Sequence, residues 1–169
     1  ILVEDLASAM DDFTVLGFNV VPGGRQADNS TDNALIVFND NSYIELLDIL
    51  GKSTQTLLGM MNRVGLLGLA TVGRTPLTER FILHAAGDEG LVDFAINATA
   101  PETDLAALTE LGFSKPETGQ RVRVDGTLVT CEYSVPSSLH LPYVVVDQTE
   151  REDRIPALRD ARKHKNGVE

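Results

Sequence analysis

The sequence predicts an α+β protein: two tandem βαβββ units with facing curved sheets, plus a helical insertion between them. Two observations carry this reading. The first is a near-repeat. Asp5-Leu6-Ala7 opens a helical pattern that ends at Leu16-Gly17-Phe18, and Asp104-Leu105-Ala106 opens another that ends at Leu111-Gly112-Phe113. The Asp-to-Gly spacing is twelve residues in the first copy and eight in the second, so the second helix is expected to be about one turn shorter. In both copies the glycine falls where a helix stops on a left-handed residue. The second observation is the flanking pattern. Each helix is preceded by a strand and followed by a strand start and a hairpin, which reads strand, helix, strand, strand, strand. A four-stranded sheet with one helix leaves a face bare. Two such units bury their bare faces by turning them towards each other around a shared cavity.

Each element follows from local chemistry. Residues 1–50 form the first unit, with Ile1-Leu2-Val3 as its opening strand and Asp5 to Gly17 as its helix. Phe18-Asn19-Val20-Val21 starts the next strand. Gly23 to Asn33, GGRQADNSTDN, is long and polar, so it reads as a mobile rim or a binding loop. A hairpin closes the unit, with arms Ala34 to Phe38 and Tyr43 to Leu47 around Asn39-Asp40-Asn41. Residues 51–90 are the insertion. Its stretch LLGMMNRVGLLGLA, from Leu57 to Ala70, is too short to span a bilayer and contains Asn62 and Arg63. A soluble helix burying Leu57, Met60, Met61, Val64 and Leu67 is expected there, with a lid or dimer surface as the alternative. Leu77 to Ala86 continues as helix.

The second unit covers residues 91–148 and carries an extra strand. Leu91 to Ala98 is its first strand, and Phe113-Ser114-Lys115 starts the strand after its helix. Its hairpin turns at Asp125-Gly126 between Arg121 to Val124 and Leu128 to Val135. Residues 149–169 form a separate C-terminal segment.

Composition narrows the function classes. The chain has 169 residues, a formal charge of −11 and one cysteine. That charge argues against a nucleic-acid partner, since phosphates attract the opposite sign. The one basic cluster, Arg159, Arg162, Lys163, His164 and Lys165, reads as a solvated helix end or as a tail that touches an anion. Cys131 in VTCEY reads as a small buried hydrophobe, and a lone cysteine excludes an internal disulfide. The expected setting is cytoplasmic, without membrane attachment.

Glu45 poses the sharpest question. Along an alternating strand it shares a face with Tyr43 and Leu47, where a buried carboxylate needs a cation, a donor or a proton. It can serve as a general base or bind a hard cation, or it can pair with an arginine at an exposed strand end. Arg25 can clamp an anionic group of a substrate, and Thr31 and Asn33 can contact one or simply form turns. Tyr43 and Arg123 complete the candidate substrate contacts, Arg123 sharing a strand face with Arg121. Asp147, Arg151 and Arg154 are expected to form a structural ion-pair network. His84 and His140 stand alone, without partners at metal-ligand spacing.

The arrangement resembles the vicinal oxygen chelate superfamily of glyoxalase I, extradiol dioxygenases and bleomycin-resistance proteins, and within it the glyoxalase-like domain proteins. The residues carrying the resemblance are Val3-Glu4-Asp5-Leu6, Leu16-Gly17-Phe18, Val20, Pro22-Gly23-Gly24-Arg25, Thr31, Asn33-Ala34-Leu35 and Tyr43-Ile44-Glu45-Leu46. The second half adds Gly90 to Ala95, Arg121-Val122-Arg123, Asp125-Gly126, Leu141-Pro142-Tyr143, Asp147, Thr149, Arg151, Arg154 and Pro156. The resemblance implies a bacterial protein and a metal-assisted lyase, isomerase or dioxygenase-type reaction on a small oxygen-rich or thiol-conjugated substrate. Glu45 and Glu132 would then be metal ligands for Zn, Mn, Mg or Fe, with Glu45 the catalytic carboxylate. The superfamily's first-strand histidine would fall before Ile1, and the second half offers Asp93, Asn97, Thr130 and Glu132 where relatives carry a histidine and a glutamate. Metal is therefore expected to be weak or absent. The alternatives are a metal-free module that sequesters a small molecule and a non-catalytic half of a larger tandem protein. The resemblance also implies that His164-Lys165-Asn166-Gly167 leads to a second related module, against which this one packs, or else a homodimer.

Overall fold

Strand alternation and a few helix signals place most of the chain, which the computed structural model describes except at residues 27–29, 99–100, 124 and 156–159. Val124, Pro156 and Arg159 therefore lie outside the described residues. The first half runs β1 (Leu2–Val3), α1 (Leu6–Val15), β2 (Val21–Gln26), β3 (Thr31–Val37) and β4 (Tyr43–Ile49). Three helices follow, α2 (Lys52–Arg63), α3 (Gly68–Thr71) and α4 (Pro76–Ala85). The second half runs β5 (Ala95–Asn97), α5 (Pro101–Glu110), β6 (Glu117–Val122), β7 (Leu128–Ser134) and β8 (Tyr143–Asp147), and α6 (Arg151–Arg154) comes after it.

The strands form one mixed sheet of eight, in the order β1-β4-β3-β2-β6-β7-β8-β5. Within each half the outermost pair is parallel, β1 with β4 and β5 with β8, and the remaining pairs are antiparallel. The halves join where Arg25 pairs with Val122 and Gln26 with Arg121. Gly24 makes that junction close. Its φ is +123°, and a Cβ there would lie 2.7 Å from the Val122 carbonyl oxygen. The supposed polar loop from Gly23 to Asn33 is thus mostly strand. Pairing to β3 on one side and β6 on the other satisfies its backbone despite its polar side chains.

The helix signals hold unevenly. Asp5 caps α1 by accepting the Ser8 N–H at 2.7 Å, and Gly17 follows with φ +88°. The second helix is not shortened: α1 and α5 both have 10 residues, because α5 begins at Pro101 and takes Asp104 into its interior. Pro101 suits a first helical position, where its missing N–H costs nothing.

Helix α1 packs on one face of the first half. Ile1, Leu6, Ala9, Met10 and Phe13 lie against Val3, Ala34 and Leu46. On another part of the sheet Leu58, Phe81 and Val92 close over Leu2, Ile49 and Ala85. The expected buried face of α2 is corrected here. Leu67 is buried, but Leu57, Met60 and Val64 are 55%, 59% and 67% exposed, since α2 turns only its Leu58 side inward. No described helix is long and apolar enough to cross a membrane.

The C-terminal segment folds back over the first half. Ile155 and Ala161 are buried with Val21, Leu35 and Val37, and Tyr43 packs against them. His164 lies between Phe18 and Phe38, 5.6 Å from each ring. Its Nδ1 accepts the Asn19 N–H at 2.9 Å, so Nε2 carries the proton and donates to the Val37 carbonyl at 3.0 Å. Within the basic cluster, Arg162 donates to Asn41 Oδ1 at 2.6 Å and His164 is packed in, while Lys163 and Lys165 are exposed. His164→Ala removes the ring packing and strands two backbone groups, an expected loss of ~2 kcal/mol. Thermal denaturation checks this; an unchanged melting temperature would show that the strap contributes nothing.

Candidate functional site

Alternation assigns a face to every candidate residue. Cross-strand partners share a face, so the pairs Leu35 with Glu45 and Val37 with Tyr43 put Asn33, Leu35, Val37, Tyr43 and Glu45 on the side away from α1. Thr31 opens the same row and is buried. On the second half, Tyr133 pairs with Val145, which places Cys131, Tyr133, Tyr143, Val145 and Asp147 together.

One guanidinium ties these two sets to each other. Arg154 donates from Nη1 to the Tyr43 hydroxyl at 3.2 Å and from Nε to Asp147 Oδ1 at 2.7 Å. Tyr43 belongs to β4 and Asp147 to β8, five strand spacings apart in the sheet order, roughly 24 Å if the sheet were flat. The sheet is therefore strongly curved, and this side is concave.

The Glu45 carboxylate finds a donor, while the Ile1 ammonium donates to the Glu45 backbone carbonyl at 2.7 Å and feels the carboxylate's charge. The carboxylate accepts a hydrogen bond from Asn33 Nδ2, and among the described residues no arginine, lysine or histidine stands at ion-pair distance from it. The nearby arginines are committed elsewhere. Arg121 donates to the Arg154 carbonyl, and Arg123 donates to the Asp153 carbonyl at 2.9 Å and pairs with Asp125 at 2.7 Å. Arg151 and Arg154 share Asp147, the network expected from the sequence.

All three tyrosines of the chain lie on this concave side. Tyr133 and Tyr143 tilt against each other with centroids 6.0 Å apart, and the Cys131 thiol donates to the Tyr133 hydroxyl at 2.9 Å. Burial, then the charge of Glu45, raises the pKa of Tyr43 and holds that of Tyr143 well above the ordinary phenol value. Tyr133 is raised by burial and by its Cys131 neighbour. Burial works against the charge of Arg154, but Tyr43, Cys131 and Asp147 outweigh it and raise the guanidinium pKa further.

A second polar cluster escaped the sequence reading. Arg80 is buried, grips both oxygens of Asp93 at 2.7 and 2.6 Å, and lies over the Tyr143 ring, 5.7 Å from its centroid. It also donates to the carbonyls of Ser138 at 3.1 Å and Leu141 at 2.7 Å. His84, one turn along α4, places Nε2 3.2 Å from Asp93, so it is not the solitary histidine expected. Desolvation raises the Asp93 pKa, but hydrogen bonds from Arg80 and His84 and the guanidinium charge overcome it and bring the value to about 2. The legible signal was the i, i+4 spacing of Arg80 and His84 on one helix face.

Other candidates are not brought to Glu45. Arg25 pairs with Asp32 at 3.1 Å on the opposite face of the sheet, half exposed. Glu132 pairs across strands with Val146, which alternation places opposite Tyr133 and Val145. The metal pair implied for Glu45 and Glu132 is therefore not assembled. Among the described residues no group of three or more His, Cys, Asp or Glu side chains is disposed to hold a metal ion. Glu45, held by an amide and standing alone as a carboxylate, does not by itself fit a metal centre. His140 is exposed in its loop. A cleft of about 650 Å³ lies elsewhere, between α2 and residues 86–89, lined by Lys52, Gln55, Asn62 and Glu89 among others.

A curved mixed sheet with a helix on its outer face and the C-terminal segment packed on part of its concave face defines the class, a mixed α+β domain. The glyoxalase-like domain family matches residues 1–168, and the chain belongs to this family of the vicinal oxygen chelate superfamily. Among solved structures the chain is similar to a hypothetical protein from Staphylococcus aureus, with a TM-score of 0.62 and 16% identity over 90% of this chain and 58% of that one. At that identity the likeness speaks for the fold, and the chain spans little more than half of that protein's length. No curated protein matches the sequence.

Proposed function

We propose that this domain is two tandem βαβββ units that bind a small molecule on their shared concave face, with Glu45 meeting a positively charged or donor-rich group of the ligand. The observation that carries the reading is a carboxylate, set among three tyrosines, whose described partner is a neutral amide. A carboxylate in such surroundings favours a cation, and aromatic rings beside it add cation–π attraction. The net charge of −11 draws the same class of ligand by long-range steering. Sequestration is favoured over metal-assisted lyase, isomerase or dioxygenase chemistry because, among the described residues, the donors that a metal centre needs are not gathered around Glu45.

Thermal shift with four ligand sets tests this: organic amines and guanidines, neutral polyols, organic anions, and Zn, Mn, Mg or Fe salts. Cations are expected to raise the melting temperature, by up to ~2.7 kcal/mol of stabilisation at a hundredfold excess over Kd. Glu45→Gln should abolish most of that shift while leaving the free protein folded. A shift produced by metal salts, with none from organic cations, would move the metal-assisted reading ahead.

A further inference from the structure

The pairing of β2 with β3 slips at one residue. Pro22 pairs with Ala34 and Gly24 with Asn33, which leaves Gly23 as the extra residue of a β-bulge. Gly23 does not occupy the left-handed region, so its backbone would accept any residue. Space is what demands glycine here. A Cβ on Gly23 would stand 2.2 Å from Asn33 Oδ1 and 3.0 Å from its Cγ.

Asn33 is 3% exposed, and its two amide ends have different fates. Nδ2 donates to Glu45, while Oδ1 is buried without a polar partner among the described residues. A buried acceptor left without a donor is destabilising, so the orientation needs a cause. At one end the cause is electrostatic: a reversed amide would face its oxygen towards the carboxylate. At the other end the bulge supplies room, and Oδ1 rests against the Gly23 backbone, where weak C–H···O contact is available. Bulges beside functional sites commonly re-aim a side chain in this way.

We propose that Gly23 and Asn33 are positioning residues for Glu45: the bulge at Gly23 fixes the Asn33 amide, and the amide fixes the carboxylate on the concave face. The inference rests on Glu45 being the ligand-contacting group, but its test requires no ligand.

The test is the Asn33 side-chain amide in a 1H–15N spectrum, assigned as the pair lost in Asn33→Ser. In the wild type one Nδ2 proton should appear downfield and exchange slowly, and in Glu45→Gln it should move back upfield. In Gly23→Ala the amide should return to the position and exchange rate of a solvated asparagine. A purely structural glycine would lower the melting temperature without moving that signal. The double variant Gly23→Ala/Asn33→Ser should recover the melting temperature lost in Gly23→Ala, because serine clears the new methyl group. A wild-type spectrum without the downfield, protected proton overturns the proposal, whatever the variants do. So does a Gly23→Ala spectrum that keeps it. Loss of the organic-cation shift in Gly23→Ala links the device to binding. If no cation shifts even the wild type while the amide behaves as described, the ligand reading fails and the positioning role stands.

Discussion

Asp93→Asn is expected to lower stability by ~3–5 kcal/mol, the usual consequence of leaving a buried charge without its partner. Arg80 is 3% exposed and takes both oxygens of Asp93, so the variant leaves a guanidinium with only carbonyl partners. His84 loses its carboxylate as well. The same pair ties α4 to the loop around Ser138 and Leu141, so the loss should loosen the cover over Tyr143. Its pH dependence has a definite sign. The Asp93 carboxyl is held at about 2, below its ordinary 3.8, so its stabilisation is present above pH ~3.8 and is lost as pH falls through about 2. Partial solvent access reduces the ion pair's own share to roughly 1–2 kcal/mol. Urea denaturation at pH 7 and at pH 2 checks both points: the gap between wild type and variant should be wide at the first and smaller by roughly 1–2 kcal/mol at the second. A gap under 1 kcal/mol at pH 7 would show that Arg80 is satisfied by the carbonyls alone.

The second large effect is expected at high pH. The chain has three tyrosines and no tryptophan, and all three tyrosines have raised pKa values. Phenolate absorbance at 295 nm therefore reports on the concave face alone. A group whose folded pKa is raised contributes stability in full below its unfolded value near 10, and that contribution is lost as pH rises through the folded value. All three tyrosines forfeit that contribution over the same pH range, against a whole stability of only about 5–15 kcal/mol for an ordinary domain. The phenolate signal should stay absent past pH 10 and then appear in one cooperative step with loss of secondary structure. Glu45→Gln should move that step to higher pH, because the Glu45 charge helps raise all three groups and its removal lessens the stability forfeited at a given pH. Gradual ionisation from pH 9.5 in a still-folded protein would show that the tyrosines are open to solvent.

Sequence alone determined those features that depend on neighbours along the chain. The Asp5 cap, the left-handed Gly17 and Gly112, the turn at Asn41 and the alternation that puts Tyr43 and Glu45 on one face are local, and each is present. Local rules also placed Asp147 with Arg151 and Arg154, since four and seven residues bring these groups into reach. Tertiary structure decided the rest. The polar run from Gly23 became strand because two partner strands supply its hydrogen bonds, which side-chain polarity cannot reveal. Helix α5 reached back to Pro101 because nothing requires a helix to start at its first acidic residue. Leu57, Met60 and Val64 stayed exposed because an apolar stripe says what a helix can bury and not whether anything arrives to cover it. Glu45 meets Asn33 across two strands, while Glu132 and Arg25 face away from it, because register and alternation set the side on which a residue emerges. Only the folded sheet, curved enough for Arg154 to reach both Tyr43 and Asp147, brings the two halves of the sequence together on one face.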